Sequence, residues 1–201
     1  MTEVSFGGTP HYSYVTLSAR PAATQVLLLI DVKDEKAKVI LFAGGDGRLN
    51  LNPLGFGSNL QANFLVRTRD FYTARGLRAA ILDAPSGAAI FPSLRLTAEH
   101  AQDIQGVIGY LHRRFHDPVW LVGTSSGTVS AANAASRLCG NEGPKGRVLT
   151  SSVLKAAGTS VFDTQLAAIT VPTLVVHHKP DACPSTLFVD VPALMAALPG
   201  R

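Results

Sequence analysis

The stretch Val119-Trp120-Leu121-Val122-Gly123-Thr124-Ser125-Ser126-Gly127-Thr128-Val129-Ser130-Ala131-Ala132-Asn133-Ala134-Ala135 constrains the fold more than any other part of the chain. Four apolar residues lead in, as in a buried strand, and small, proline-free residues lead out, as in a helix packed close to a sheet. Between them lies Gly-Thr-Ser-Ser-Gly. A serine at the tip of a tight strand-to-helix turn has an exposed hydroxyl, and its backbone leaves room only for small residues two positions to either side. Gly123 and Gly127 meet that demand, so the segment reads as a nucleophile elbow with Ser125 at its tip. With 18 glycines in 201 residues, the five-residue pattern alone would arise by chance in roughly one such sequence in ten. Its specificity comes from the strand and helix that flank it.

At 201 residues the chain is long enough for one domain with a sizeable core. Hydrophobic residues make up 46% and charged residues 16%, the balance of a well-buried globular protein, and no apolar run is long enough to span a membrane. The net charge of +4 is modest. Lysines and arginines are scattered, with no basic run or interleaved aromatics, which argues against a nucleic-acid partner. Cys139 and Cys183 are too few for a disulfide framework and lack metal-ligand spacing, so they read as two unpaired thiols. Met1 to Phe6 lacks the basic and apolar regions of an export signal. The chain as given is therefore expected in the cytoplasm, or in the periplasm or outside the cell if an upstream signal has been removed.

Upstream of the elbow, Tyr12 to Leu17 alternates like a half-buried strand, and Gln25 to Ile30 is a second, more apolar one. The charged cluster Asp31 to Lys38 reads as a solvated hairpin turn. Val39 to Ala43 is a continuous apolar run, the mark of a central parallel strand. It ends in Gly44-Gly45-Asp46-Gly47, a loop whose backbone can approach a ligand closely and present an N–H toward Ser125. Asn52 to Ser58 is a Pro/Gly-rich connection, and Leu60 to Arg75 predicts a helix closed by Gly76. Ala79 to Asp83 is a further short strand ending at the turn Ala84-Pro85-Ser86-Gly87, where Asp83 is expected to accept loop N–H bonds.

Thr97 is placed to cap a helix whose apolar positions run from Ala98 to Phe115 at helical spacing. His100, His112 and His116, on or just after it, are expected at a solvated surface. Beyond the elbow, Arg147 to Val153 and Pro172 to His178 predict two more strands, and Asp190 to Leu198 a small helix stopped by Pro199 and Gly200. Strands alternating with helices call for an α/β, doubly wound, mostly parallel sheet, with its sites at the carboxyl ends of the strands. The glycine loop, Asp83, Ser125 and Asp181 all fall at such ends.

These residues together resemble the alpha/beta-hydrolase superfamily, close to small lidless esterases and dienelactone-hydrolase-like proteins. The likeness runs through Leu41 to Gly47, Leu82 to Ser86, Trp120 to Thr128 and Val171 to His178. It implies about seven of the eight family strands in a single domain, 1–201, without a large lid and truncated at the C-terminus. It implies Ser125 as nucleophile, Asp181 as the acid after the seventh strand, and an oxyanion hole made by the N–H of Ser126 and that of Gly44 or Gly45. The family order is Ser, acid, His. No histidine follows Asp181. Three arrangements would complete the set: a histidine beyond Arg201, His177 or His178 as a substitute base, or a strand supplied by a second chain at an open sheet edge. The implied activity is hydrolysis of small, aryl, lactone or polymeric carboxylic esters through an acyl-enzyme, with no metal or organic cofactor. The alternative is a non-catalytic scaffold or binding protein, or an inactive fragment lacking its general base.

Overall fold

A computed structural model describes residues 1–6, 10–21, 23–53, 57–85, 92–116 and 118–199. Ser86 and Gly87 of the turn after Asp83, residues 54–56 of the Pro/Gly-rich connection, and Gly200 lie outside the described residues. The strands are β1 (Thr2–Phe6), β2 (Tyr12–Arg20), β3 (Ala23–Ile30), β4 (Ala37–Phe42), β5 (Leu77–Leu82), β6 (Val119–Ser125), β7 (Gly146–Ser152) and β8 (Thr173–Val176). They form one sheet in the order β1-β2-β3-β5-β4-β6-β7-β8, antiparallel from β1 to β5 and parallel from β5 to β8. The sheet has one strand more than the seven read from the sequence. The addition, β1, pairs on the outer edge of β2 rather than beyond β8.

The helices are α1 (Phe64–Arg67), α2 (Arg69–Thr73), α3 (Ala98–Arg114), α4 (Gly127–Arg137) and α5 (Val191–Ala197). Alternate residues of the central strands feed two apolar cores, one on each face. Ile40, Phe42, Leu121 and Leu149 join the larger core with α3, α4 and Leu194 of α5. Val39, Leu41, Ile81 and Val122 join the smaller one with Leu65 and Val66 of α1. The near-continuous apolar run of β4 follows from this two-sided burial.

Three readings are corrected by these positions. Asp31 to Lys38 does not form a hairpin, because β5 lies between β3 and β4. Its charges are solvated only in part: Lys33, Asp34 and Lys36 are exposed, but Lys38 is fully buried and ion-pairs with Glu35 at 3.6 Å. Arg78 of β5 pairs with Asp31 and Glu35 and stacks on the Phe115 ring at 3.8 Å. The helix expected from Leu60 to Arg75 begins instead after Asn63, whose side chain caps α1, and breaks at Thr68, whose hydroxyl donates to the Phe64 carbonyl. Such a local bond competes with the helical ladder. Thr97 caps α3 as expected by accepting the His100 N–H at 3.1 Å, but His100 itself is buried rather than solvated.

Candidate active site

β6 carries the chain into the turn at the middle of the sheet, flanked by β4 and β7. Ser125, its last residue, has φ of +52°, a left-handed conformation that costs a non-glycine residue free energy and is retained where the surroundings enforce it. The surroundings can be named. The Thr128 hydroxyl donates to the Ser125 carbonyl at 2.6 Å. A methyl group on Gly123 would lie 2.5 Å from the Gly127 carbonyl oxygen, and one on Gly127 would lie 2.0 Å from that of Phe42. Both glycines are therefore steric requirements of the crossing between β4, β6 and α4. The Ser125 side chain is half-buried, and α4 starts directly after Ser126, so the helix N-terminus lies beside the hydroxyl.

Gly44, at the end of β4, faces Ser125: a methyl group there would come 2.9 Å from the Ser125 Cβ. The same position lies 3.3 Å from the Asn63 Nδ2. Because Asn63 Oδ1 accepts the Leu65 N–H at 3.1 Å, the orientation of that amide is set, with its nitrogen toward Gly44. Gly45 has φ of +62°, and the loop closes through the Gly47 N–H donating to the Gly44 carbonyl at 3.3 Å. The glycine loop and the start of α4 thus both lie beside Ser125.

Asp83 has the supporting position the sequence suggested. Its carboxylate accepts the N–H groups of Leu49 and Leu51 at 2.7 Å each and that of Ala84 at 2.8 Å. Asp181, after β8, accepts the Cys183 N–H at 3.0 Å and the Thr186 hydroxyl at 2.9 Å. Those two bonds, with smaller help from His177 and His178, hold its carboxyl below the usual carboxylate range.

His177 lies next to the elbow, since Ser125 is in register with Ser152 and the Ser152 N–H donates to His177 Nε2 at 2.7 Å. That bond uses the Nε2 lone pair and places the proton on Nδ1. Burial pushes the ring toward its neutral form. His178 is exposed. Among the described residues no histidine nitrogen hydrogen-bonds to the Ser125 hydroxyl; His100 bonds Ser130 and His11 bonds Asp31. In the segment between β7 and β8, Val161, Leu166 and Ile169 are anchored in the core, against α4.

No family profile matches the sequence, and no curated protein matches it. Solved structures do. A cold-adapted esterase from an Arctic intertidal metagenomic library superposes with a TM-score of 0.71 at 15% identity, covering 98% of this chain and 85% of the esterase. The chain has the alpha/beta-hydrolase fold. Among further alpha/beta-hydrolase neighbours, a Pyrococcus furiosus esterase gives a TM-score of 0.67 at 14% identity over 98% of this chain and 83% of its own. A serine hydrolase without a lid from Xanthomonas campestris gives 0.58 at 16% identity over 96% and 81%.

Two residues that sequence reasoning passed over also border the turn at Ser125 and the glycine loop. Asn63 had a readable signal, an Asn directly before the apolar Phe64-Leu65-Val66. Arg95 had none: its Nη2 donates to the carbonyls of Ala43 and Gly45 at 3.1 Å each, acceptors that carry no side-chain signature and lie about fifty residues away.

Proposed function

We propose that this chain is a serine-dependent carboxylic-ester hydrolase working through an acyl-enzyme, and that it belongs with the small lidless, dienelactone-hydrolase-like esterases. The observation that carries the reading is Ser125 at positive φ, at the strand-to-helix turn, directly opposite Gly44. In this reading the Ser125 Oγ attacks the ester carbonyl carbon and passes its proton to a base. The tetrahedral oxyanion accepts the Ser126 N–H and that of Gly44 or Gly45. The alcohol leaves with a proton returned by the base, and water then releases the acid and regenerates the serine. Asp181 is the residue that would orient the base, and no metal or organic cofactor enters.

The base is proposed to be a histidine brought by a segment outside the residues described, or by a second copy pairing on the open β8 edge. His177 and His178 are the alternatives within the chain, and His177 would first have to release the Ser152 N–H. An open site suits small, aryl or lactone esters and the chain ends of a polyester.

A fluorophosphonate, which forms a bond to an activated serine oxygen, tests the reading. An adduct mapped to Ser125 and lost in Ser125→Ala supports it. Absence of any adduct, in the chain and in a version carrying a C-terminal extension, overturns it. That second result supports the other reading, a non-catalytic scaffold or binding protein, which the absence of a histidine bonded to Ser125 among the described residues favours.

A further inference from the structure

A cluster of buried polar side chains lies between the glycine loop, α3 and α4. Arg95 sits on the short 3-10 turn Pro92–Leu96, and its guanidinium is almost wholly shielded from solvent. Its Nη2 donates to the carbonyls of Ala43 and Gly45, both at 3.1 Å. Its Nη1 donates to the Ser130 Oγ at 2.7 Å, in the second turn of α4. Ser130 is fully buried and contacts His100 Nε2 at 2.9 Å. The Ser130 hydroxyl is therefore shared between the Arg95 guanidinium, from which it accepts, and the His100 ring.

The bond directions matter more than their number. In a trans peptide the C=O and N–H point to opposite sides. With its carbonyl held by Arg95, the Ala43–Gly44 peptide turns the Gly44 N–H away from the cluster, and the Gly45–Asp46 peptide is fixed likewise. The peptide between them is held by the Gly47 N–H on the Gly44 carbonyl. Three successive carbonyls are thus engaged in a loop containing two adjacent glycines, the residues with most backbone freedom to lose. The same guanidinium grips α4, whose N-terminus presents the Ser126 N–H.

We propose that Arg95 is a positioning residue, which sets the spacing between the glycine-loop N–H and the Ser126 N–H by tying the loop to α4 through Ser130. The inference rests on the esterase reading for its consequence, though not for its geometry. Burial lowers the Arg95 pKa to about 10, with the Asp46 carboxylate acting against the shift, so the side chain remains charged at neutral pH. Burial together with Arg95 and Arg20 pushes His100 down to about 3, which leaves it neutral at neutral pH, so it adds no second positive charge beside the loop carbonyls.

Two readouts on the full chain test the clamp: amide hydrogen exchange of Gly44 to Gly47, and the rate at which a fluorophosphonate labels Ser125. Arg95→Met should speed loop exchange by about tenfold or more while β6 exchange stays unchanged. It should slow labelling by about tenfold to a hundredfold, as expected when one oxyanion donor is mispositioned. Arg95→Lys, which can reach one carbonyl, should recover part of both. Loop exchange identical to the parent chain in a folded Arg95→Met overturns the proposal. Should that variant fail to fold, Arg95→Lys and Ser130→Ala carry the test with the same expected directions, and unchanged loop exchange in both overturns it. A parent chain that is never labelled counts against the esterase reading alone, since the exchange measurement still decides whether Arg95 holds the loop.

Discussion

The two halves of the sheet's carboxyl end differ in how completely they are determined. On one side, β4, β6 and α4 meet with no room for a methyl group at Gly123 or Gly127, and Ser125 is held in a left-handed conformation by named neighbours. On the other, β8 alternates between half-buried and exposed residues, with Leu174 at 55% and Val176 at 47% exposure. Asp181 there bonds, among the described residues, to Cys183 and Thr186 of its own loop. Ser125 and the glycine loop are fixed by packing between β4, β6 and α4, whereas on the β8 side the described residues offer Ser125 no hydrogen-bonded histidine.

The sharpest way to break this comparison is a single methyl group on each side. Gly127→Ala places its Cβ 2.0 Å from the Phe42 carbonyl oxygen, a backbone atom that cannot swing away. It should cost about 3 kcal/mol or more. Gly158, between β7 and β8, also has positive φ, at +64°, but an added Cβ meets nothing within 4 Å. Gly158→Ala should cost only about 1 kcal/mol, the conformational penalty alone. Urea unfolding of both variants measures the difference, and equal losses would contradict the asymmetry.

Acid should weaken the elbow half first. His100, hydrogen-bonded to Ser130 of α4 beside Arg95, has a folded pKa lowered to about 3 by burial and the nearby Arg95 and Arg20 charges, against an ordinary value of 6.5. Between those values the unfolded chain binds a proton that the native state refuses. The contribution is therefore complete above the unfolded value and is lost as pH falls toward the folded one. The loss should be on the order of a few kcal/mol. His100→Gln, which keeps a hydrogen-bonding side chain without the titration, should flatten the pH dependence of the melting temperature between pH 6 and pH 4. An unchanged slope would show that other groups govern it.

How much of this was legible depends on where each signal is stored. The elbow, the glycine loop and the alternation of β2 were readable because local chemistry dictates them: Gly123 and Gly127 have no substitute, and β2 buries Ser13, Val15 and Leu17 on one face. The mistaken hairpin at Asp31 to Lys38 has a different cause. Charge suggested solvent, but Lys38 is paired with Glu35 three residues away, and Arg78 is compensated by Asp31, Glu35 and Phe115, partners that only the strand order brings to it. His100 was misplaced for the same reason, its partner Ser130 lying on another helix. Arg95 was silent because it binds backbone carbonyls. Long-range polar pairing, rather than apolar pattern, is what the sequence conceals here.

His177 offers a moderate test of the open half. Removing its ring in His177→Ala leaves the Ser152 N–H without its acceptor, at a cost of about 1 to 2 kcal/mol. If the ring is structural, as the occupied Nε2 suggests, the labelling rate of Ser125 should change less than about threefold at pH 7, a shift below 1 kcal/mol in barrier. A fall of about a hundredfold or more would instead identify His177 as the substitute base. His178→Ala run in parallel separates the two rings.

The smallest effect on the monomer, and the most direct probe of the open half, is expected at the β8 edge. β8 is the last strand in the sheet order, and Leu174 and Val176 project from the face that Val175 does not use to reach the core. Both are already solvated, so Leu174→Lys with Val176→Lys should change unfolding free energy by no more than about 0.5 kcal/mol. The same pair should oppose strand addition, because charge on an edge strand is a barrier to pairing with another chain. If a second copy pairs there, sedimentation over a range of concentrations should show self-association in the parent chain that the double variant loses. Self-association that survives both lysines would place the contact elsewhere and leave a histidine from an added segment as the remaining external source of the base.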